Sequence, residues 1–490
     1  MNEKLLILIL YLWFILAITI LIPRKDFQGL RIFSLGSTLA FFAMCIDLYY
    51  DFDHLVTGFQ FECSIPVIPE YNLNFTLGVD GISLPLLMLT AFITPICIFA
   101  AKSTIFNYKQ FIIYILLIEL FLTISFLTTN LFFFYVFFEA ILIPMFLIIG
   151  VWGARERKIK AAYYFFLYTL LGSFFLLFGI LYIYQIAGTF DYTELLNTTF
   201  TKEDQKYLFW FFFIPFAVKI PMFPFHLWLP EAHVEAPTIG SVILASLLLK
   251  LGAYGFLRFT LPLFPSGCMY YNYAIFTFAL LSILYASLSA IRQTDLKRII
   301  AYSSIAHMNL AVLGIFSFSH QGIDGAMYLM ISHGFVSSAL FFCVGVLYDR
   351  HHTRLLRYYS GLVQVMPLFC TFFFIFTCAN MSFPGTANFI GEFLIFSGFF
   401  MKNDYLVLFA ASSIVLSAIY SIWVYNRVAY GTFKVENENI SNYTDLNREE
   451  LYIMIFLAIP TLILGVNSEL LTSLTNVPVN LILLAAEFKG

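Results

Sequence analysis

Charged residues are scarce in this sequence. Asp, Glu, Lys and Arg make up 11% of its 490 residues, whereas soluble domains carry roughly 25%. Hydrophobic residues make up 61%, so the chain lacks the polar surface needed to remain in water. The formal net charge of -3 gives no sign of a nucleic-acid partner. The composition therefore predicts a polytopic membrane protein folded as one helical body.

Motifs that bind nucleotides, metals or redox groups are also missing. The sequence contains no G-x-G-x-x-G, P-loop, nucleophile elbow or H-E-x-x-H. Its seven cysteines form no C-x-x-C pair, which argues against a disulfide framework and an iron–sulfur or zinc site. We therefore expect no cofactor and no metal on this chain. An Arg-rich transit peptide is absent too, and we expect the first apolar segment to be retained.

Apolar stretches of about 20 residues, the length that crosses a bilayer, follow one another along the sequence. They predict an all-α integral membrane fold with about fourteen transmembrane helices. The predicted spans are 4–22, 31–50, 83–101, 111–128, 131–150, 161–186, 207–228, 239–258, 273–292, 297–316, 322–347, 365–400, 405–428 and 450–472.

The basic residues are distributed unevenly between the loops. Most of the 26 lysines and arginines fall in loops that connect an odd-numbered span to the next one. Because basic loops stay on the cytoplasmic or matrix side, this bias predicts both the span count and the orientation. Both termini should lie on the opposite, outer side of the membrane.

A few ionisable residues remain near the centres of predicted spans. A charge at such a depth costs about 2.5 to 3.5 kcal/mol, so these side chains should face the protein interior and pair with one another or with water. Carboxylates, lysines and histidines together are the components of a proton relay. The residues are Glu119, Glu139, Lys219, Lys250, His307, His333 and Glu392.

Structural roles for the same residues stay open. Glu139 and Lys219 would also suit a static buried pair that fixes helix packing. His307 and His333 would suit ordinary hydrogen-bonded histidines between helices, and Glu119 would suit a bridge between two helices. A cluster of His226, His233, Glu231 and Glu235 suggests a metal site, but it lacks a known ligand spacing. We interpret the basic run 155–160 and the turn 295–298 as topology determinants.

Two spans contain helix-breaking prolines. Pro221 and Pro224 follow Lys219 in the seventh span, and Pro384 lies before Glu392 in the twelfth. Broken helices inside a membrane line protein or water-filled cavities, and two of them in corresponding positions are typical of transporters built from inverted repeats. Incidental proline kinks are the alternative.

The repeat hypothesis divides the chain into four parts. We predict two inverted five-helix repeats, flanked by other helices. The parts are 1–110 with helices 1–3, 111–262 with helices 4–8 and a break at 219–224, 263–430 with helices 9–13 and a break at 381–388, and 431–490 with a C-terminal loop and helix 14.

Two blocks of sequence resemble a known family. The segment FFEAILIPM at 137–145, followed by Trp152 and Gly153, is similar to the fifth and sixth helices of the antiporter-like membrane chains of NADH:ubiquinone oxidoreductase, respiratory complex I. The most specific block is KIPMFPFHLWLPEAHVEAPTIGSVILASLLLKLGAYG at 219–255. The resemblance extends from about 80 to 430 and is closest to the fourth chain, which carries an acidic residue where Glu392 stands.

The resemblance implies a function and a role for each buried residue. The fold would conduct protons, driven by quinone reduction elsewhere in the complex. By analogy, Glu139 would bias the proton of Lys219, Lys250 would be the central relay, His307 and His333 would continue the path, and Glu392 would end it toward the outer side.

The resemblance also implies partners and a location. FMN, iron–sulfur clusters and ubiquinone would be bound by partner subunits, and the second and fifth antiporter-like chains and membrane lipids would be neighbours. We expect the mitochondrial inner membrane rather than a bacterial cytoplasmic membrane, because the transit peptide is absent and Phe is abundant, at 60 residues.

Three other functions compete with this one. The first is a subunit of a multi-chain cation/proton antiporter or of a membrane-bound hydrogenase, whose chains share the same lysines and glutamates. The second is a structural scaffold, which would gain nothing from buried charges at matched helix breaks. The third is an enzyme of lipid-linked substrates, which would need its catalytic cluster near one membrane face.

Overall fold

The structure, a computed structural model, describes residues 3–432 and 444–489. Its described part is mostly helical, as the composition predicts. Residues 433–443, which belong to the predicted C-terminal loop, lie outside the described residues. The chain divides into two compact units. The first unit consists of Met1–Lys219, Lys250–Tyr273 and Ser473–Gly490, and the second of Ile220–Leu249 and Ala274–Thr472.

The first 270 residues form fourteen α-helices in the described part of the chain, and several of them are short. Their bounds are α1 Lys4–Leu21, α2 Phe27–Asp51, α3 Ser83–Ala100, α4 Tyr108–Leu127, α5 Leu131–Ala140, α6 Leu142–Trp152, α7 Lys158–Ala187, α8 Tyr192–Asn197, α9 Lys202–Lys219, α10 Trp228–Glu235, α11 Thr238–Ile243, α12 Leu249–Gly255, α13 Leu261–Leu263 and α14 Pro265–Tyr270.

The remaining helices are longer on average. They are α15 Asn272–Arg292, α16 Leu296–Ile315, α17 His320–His351, α18 Pro367–Asn380, α19 Ala387–Phe400, α20 Asp404–Ala429, α21 Arg448–Val466 and α22 Glu469–Lys489. Polar side chains cap several of them. Asn130 accepts backbone N–H bonds at the start of α5, and Asp295 and Ser319 do so for α16 and α17, which satisfies donors that a helix start leaves free.

A β-hairpin between α2 and α3 was not predicted. Strands β1 Gln60–Ile68 and β2 Leu73–Val79 pair antiparallel, with Ser64 opposite Thr76. The sequence analysis treated this stretch only as a loop between spans. The hairpin belongs to the first unit, where Thr129 donates a backbone hydrogen bond to Thr76 at 3.0 Å.

Thirteen helical segments of the described part are long and apolar enough to cross a membrane, if α5 and α6 are counted as one segment and α11 to α13 as another. Every predicted span except the seventh and the twelfth has a counterpart among them. The seventh corresponds to α9, which is charged at its beginning, and the twelfth is divided into α18 and α19 of 14 residues each. The predicted membrane fold and its broken helices are therefore present, whereas the inverted relation of the repeats stays a prediction.

Helix α22 has no counterpart among the predicted spans. The prediction ended with the span 450–472, but the structure divides this stretch into α21 and the start of a further helix, α22. Residues Glu469–Ala486 of α22 have a mean hydropathy of 1.4 and are also a candidate span. The prediction missed this helix because polar residues and Pro478 interrupt its apolar positions. The predicted location of both termini on one side now depends on whether α22 crosses the membrane.

Aromatic side chains form the core of the first unit around α5. The ring of Phe134 lies 4.7 Å from that of Phe259 and 5.5 Å from that of Phe138, measured between centroids. Phe134 and Phe138 are fully buried. Because rings packed in this way interlock with specific geometry, they fix the end of α5, where Glu139 lies.

Helix α17 is the central element of the second unit. Its most apolar stretch, long enough to cross a membrane, is entirely buried in the protein. It packs closely against α19, where two glycines let the backbones approach. A Cβ atom at Gly325 would lie 2.6 Å from the backbone nitrogen of Ile395, and one at Gly391 would lie 2.8 Å from that of Leu329. This close packing positions Glu392, the residue after Gly391, beside α17.

Candidate functional site

The first helix break follows Lys219, the last residue of α9. Pro221 and Pro224 lie between α9 and α10, where the sequence predicts the interruption. The backbone groups of this stretch have partners in the second unit. Asn309 donates a side-chain hydrogen bond to the Pro221 carbonyl at 3.3 Å, and the Phe223 N–H donates to Ser282 Oγ at 2.7 Å. Such partners are what an irregular backbone at membrane depth requires.

Glu139 and Lys219 interact electrostatically within the first unit. Lys219 is 2% exposed, and its Nζ lies 4.4 Å from the centroid of the Phe138 ring, a cation–π geometry. In the described residues neither Lys219 Nζ nor Glu139 Oε1 has a hydrogen-bond partner. The two charges therefore influence each other without forming a closed salt bridge.

Lys250 lies in an irregular stretch of the long helical segment Thr238–Leu263. It is fully buried, and π-helical turns at Leu244–Leu248 and Phe256–Thr260 lie on either side of α12, which carries it. Single π-helical turns occur often at functional sites because they displace the backbone hydrogen-bond register. The sequence analysis predicted the lysine but not these turns.

The second break separates α18 from α19. Pro384 lies between them, and Gly385 adopts a φ of +91°, a conformation that favours glycine. The N–H of Phe383 donates to the Cys378 carbonyl at 3.0 Å, which closes the end of α18. Glu392 then follows in the second turn of α19 and is 4% exposed.

The second unit brings His307, His333 and Glu392 together. His307 Nδ1 lies 2.9 Å from Glu392 Oε1, and the two side chains are almost completely buried. The rings of His307 and His333 are 5.7 Å apart between centroids. Three helices, α16, α17 and α19, thus contribute one acid and two bases to a single buried cluster.

Asn388 is a residue that the sequence analysis missed. It is fully buried one helical turn before Glu392, and its amide nitrogen and oxygen have no hydrogen-bond partner among the described residues. Buried amides are nearly always hydrogen-bonded to protein or to water. The i, i+4 spacing from Glu392 was a signal in the sequence, because it places both side chains on one helix face.

Glu231, His233 and Glu235, three of the four residues considered as metal ligands, lie on α10, and the first two have other contacts. Glu231 accepts a hydrogen bond from Arg298 at 2.7 Å, and the ring of His233 stacks on Phe341 at 4.6 Å. Across residues 3–432 and 444–489, no three His, Cys, Asp or Glu side chains converge in a geometry that suits a metal ion.

Glu119 is buried in the first unit on α4. Thr94 Oγ1 donates a hydrogen bond to its Oε1 at 2.5 Å, and its Oε2 has no hydrogen-bond partner in the described part of the chain. The carboxylate therefore joins α3 and α4 through a hydroxyl group, which fits the bridging role considered from the sequence.

Lys297 is not the exposed topology determinant that the sequence suggested. It is 3% exposed, and its Nζ donates to the Ala236 carbonyl at 2.8 Å and to Ser241 Oγ at 3.2 Å. Arg354 is also buried: it donates to the Val234 carbonyl, and its Nε is 3.6 Å from Asp295. These two cations hold the connection between α10 and α11.

Comparison with known proteins identifies the family. The transmembrane family described as NADH:quinone oxidoreductase/Mrp antiporter matches residues 128–465. The chain is 50% identical over 453 residues to NADH-ubiquinone oxidoreductase chain 4 of Marchantia polymorpha, covering 92% of this chain and 91% of the relative. It is 52% identical over 450 residues to the chain of the same name from Arabidopsis thaliana, covering 92% and 90%. The chain belongs to the NADH-ubiquinone oxidoreductase chain 4 family.

Bacterial relatives agree with this assignment. NADH-quinone oxidoreductase subunit M of Rhodobacter capsulatus is 44% identical over 465 residues, covering 92% of this chain and 90% of the relative. A chain in the structure titled respiratory complex I from Thermus thermophilus with bound NADH superposes with a TM-score of 0.87 at 28% identity, covering 100% of this chain and 99% of the other.

Membership of the chain 4 family confirms the recognition made from the two sequence blocks. The chain is a multi-pass, antiporter-like membrane subunit of respiratory complex I, and other subunits of that complex are its partners. The relatives favour this assignment over a subunit of a separate antiporter or hydrogenase.

Proposed function

We propose that the chain conducts protons across the membrane through a buried relay and that quinone reduction elsewhere in complex I drives the transfer. The relay consists of Glu139, Lys219, Lys250, His307, His333 and Glu392. FMN, iron–sulfur clusters and ubiquinone would be held by partner subunits, so this chain would contribute translocation and no redox centre.

The observation that carries the proposal is the contact of 2.9 Å between His307 Nδ1 and Glu392 Oε1. At this distance a proton can pass between an imidazole and a carboxylate without movement of the backbone. A histidine can accept a proton on one ring nitrogen and release another from the opposite nitrogen. The neighbouring ring of His333 gives this cluster a second base.

The arrangement of Glu139 and Lys219 supports a coupling role. A closed salt bridge would hold both charges in place and resist a change of protonation. Here Lys219 instead rests over the Phe138 ring, and Glu139 acts on it through space. A change of charge near Glu139 would therefore alter the ability of Lys219 to hold its proton.

We further propose the mitochondrial inner membrane as the location, with the second and fifth antiporter-like chains and membrane lipids as neighbours. The two plant relatives support this location, and the bacterial relative keeps a bacterial cytoplasmic membrane as the alternative. Both termini would face the intermembrane space if the chain crosses the membrane an even number of times.

A pair of measurements on Glu139→Ala tests the proposed function. A native gel of mildly solubilised membranes, stained for NADH oxidation and probed for this chain, reports whether the variant is assembled into the large complex. Proton uptake by sealed vesicles after addition of NADH then reports translocation. We expect the variant to be assembled with its NADH-oxidising activity but to have lost most of its proton pumping.

The matched control is Glu203→Gln, which removes a carboxylate from an exposed part of α9 in the same unit. It should assemble and pump like the wild type. Migration of this chain in a smaller assembly without NADH oxidation would contradict its place in the complex, and full pumping by assembled Glu139→Ala would contradict the relay.

A further inference from the structure

A large cleft opens on the basic-loop side of the second unit, beside the end of α20. Its volume is about 820 Å³, within the range of about 300 to 1,000 Å³ that small-molecule sites occupy. Its walls are the connection between α15 and α16, the connection between α17 and α18, and the residues around the end of α20. The cleft is therefore large enough for a ligand of the size of a lipid head group.

Hydrogen bonds join the walls of the cleft to one another. Leu356 N–H donates to the Thr294 carbonyl at 2.9 Å, and Gly361 N–H donates to the Tyr430 carbonyl at 3.1 Å. The side chain of Tyr359, which also lines the cleft, is almost completely buried. Because backbone groups of different walls are bonded together, the cleft belongs to the folded structure and is not a gap between independent loops.

The cleft is positively charged. Arg357 and Arg427 line it, and the described residues of its walls include no acidic side chain. Both arginines are exposed, and the guanidinium of Arg357 lies 4.5 Å from the centroid of the Tyr358 ring. Guanidinium groups bind phosphate through parallel hydrogen bonds, and the neutral polar side chains of Thr294 and Asn426 lie in the same walls. The walls therefore suit a phosphate group.

An apolar stripe on α20 continues from the cleft along the helix. It consists of Ile422, Ile419, Val415 and Leu408, which are all exposed. Their spacing of three, four and seven residues places them on one helix face, in line with Asn426 of the cleft. The stripe is about 21 Å long, more than the roughly 15 Å of hydrocarbon in one leaflet of a bilayer. A ligand that carries both a phosphate group and an acyl chain would contact the cleft and the stripe together.

Two aromatic side chains lie where the cleft meets the stripe. Trp423 is half-buried in the last turns of α20, and Tyr430 is exposed directly after the helix ends. Both line the cleft. Trp and Tyr are enriched where the hydrocarbon core of a membrane meets the head groups. Their position is consistent with a cleft at head-group depth and a stripe within the hydrocarbon.

We propose that this cleft binds the head group of an anionic phospholipid, with the phosphate held by Arg357 and Arg427 and an acyl chain along the apolar stripe of α20. Basic pockets on the cytoplasmic or matrix side of membrane proteins bind such head groups. The bound lipid would join the connection between α17 and α18 to the end of α20. The site does not depend on the proposed proton relay.

Photo-crosslinking of a lipid to the purified, assembled complex tests the proposal. The probe is phosphatidylglycerol with a diazirine group in one acyl chain, which is added in mild detergent and activated by light. Mass spectrometry of the digested complex then locates the crosslinks on this chain. A phosphatidylcholine with the same diazirine chain carries no net charge and measures labelling by any lipid that touches the surface.

Two kinds of variant alter the cleft. Arg357→Gln/Arg427→Gln removes two positive charges from its walls, whereas Arg155→Gln/Arg448→Gln is the matched control that removes two exposed charges of basic loops outside them. Asn426→Trp keeps both cleft arginines and places a large ring in the cleft. A native gel stained for NADH oxidation shows which variants are assembled, and competition between lipids on the wild-type complex tests the site without any variant.

The phosphatidylglycerol probe should label residues 408–422 of the wild-type complex. Unlabelled phosphatidylglycerol should compete with it, whereas phosphatidylcholine at the same concentration should not. Each basic residue near an anionic lipid contributes a factor of about five in affinity, so the half-saturating probe concentration should rise about 25-fold in Arg357→Gln/Arg427→Gln. Asn426→Trp should also weaken the labelling, and Arg155→Gln/Arg448→Gln should keep the wild-type value.

Three results would overturn the site, and none of them bears on proton pumping. Equal labelling by both lipid probes, unchanged in Arg357→Gln/Arg427→Gln, would show that α20 touches bulk lipid without a head-group site. Loss of labelling in inorganic phosphate, but not in chloride of the same ionic strength, would show that a phosphate ion is the occupant. Absence of labelling on α20 by either probe would show that a partner chain covers the cleft.

Discussion

His307 and Glu392 are 85 residues apart in the sequence, and their side chains meet at 2.9 Å in the interior of the second unit. The contact joins α16 to the first turns of α19, immediately after a helix break. A histidine and a carboxylate at this distance can exchange a proton directly, so we expect the two side chains to act as one unit.

The effects of substituting these two residues should therefore not add. His307→Ala and Glu392→Gln should each remove most of the proton pumping, and the double variant should lose little more than either single variant, as for residues that act as a unit. The measurement is NADH-driven proton uptake of the four assembled complexes. Additive losses in the logarithm of the rate would show that the two side chains act separately.

Much of the fold follows from composition and hydropathy alone. Nearly every span was predictable because the bilayer fixes helix length, and Pro221 and Pro384 located both interruptions because proline cannot donate a backbone hydrogen bond. The extra helix α22 and the β-hairpin were missed, since polar residues dilute the apolar signal in α22 and short strands give a weak one.

The candidate site was only partly predictable. The sequence placed His307, His333 and Glu392 at membrane depth, but only tertiary packing brings their side chains together. Lys297 was misinterpreted because a basic residue at a span boundary ordinarily stays in the aqueous layer.

A buried ion pair should stabilise the first unit. Arg258 Nη2 lies 2.5 Å from Asp80 Oδ1, and their side chains are 5% and 8% exposed. Asp80→Asn would leave the guanidinium buried without its counter-charge, which costs about 3 to 5 kcal/mol. Thermal inactivation of the assembled complex should thus occur at a lower temperature in Asp80→Asn. An unchanged inactivation temperature would show that Arg258 finds another partner.

The same pair predicts a dependence of stability on pH. Burial tends to raise the pKa of Asp80, but the adjacent Arg258 and the hydrogen bonds from Ser83 outweigh it and hold the pKa below its ordinary value. A lowered folded-state pKa means that this stabilisation is complete above an ordinary value of about 3.9 and is lost as the pH falls through the folded-state pKa. The difference in inactivation temperature between wild type and Asp80→Asn should therefore shrink in strong acid.

Lys297 should stabilise the connection between α10 and α11. Lys297→Met keeps the length of the side chain and removes the donors to Ala236 and Ser241. Because a buried carbonyl then loses its partner, we expect a loss of about 1 to 3 kcal/mol and a reduced amount of assembled complex on a native gel. Arg448→Met, at the exposed start of α21, is the control and should assemble normally.

The side on which the chain ends can be determined by labelling. A membrane-impermeant maleimide is added to sealed vesicles on the side of the membrane opposite the basic loops. It should react with Ser468→Cys, between α21 and α22. It should also react with Lys489→Cys if α22 does not cross the membrane. Arg155→Cys, in a basic loop, should stay unlabelled from that side. The seven native cysteines are buried or half-buried and should contribute little background. Labelling of Lys489→Cys from the basic-loop side only would show that α22 crosses the membrane.

The most direct test of the relay concerns Lys250, which is fully buried between two π-helical turns. The number of protons taken up per NADH oxidised should be measured in sealed vesicles that contain assembled wild-type or Lys250→Ala complex. The relay predicts that Lys250→Ala keeps its place in the complex but loses most of this proton uptake. An assembled Lys250→Ala complex that pumps as many protons per NADH as the wild type would contradict it.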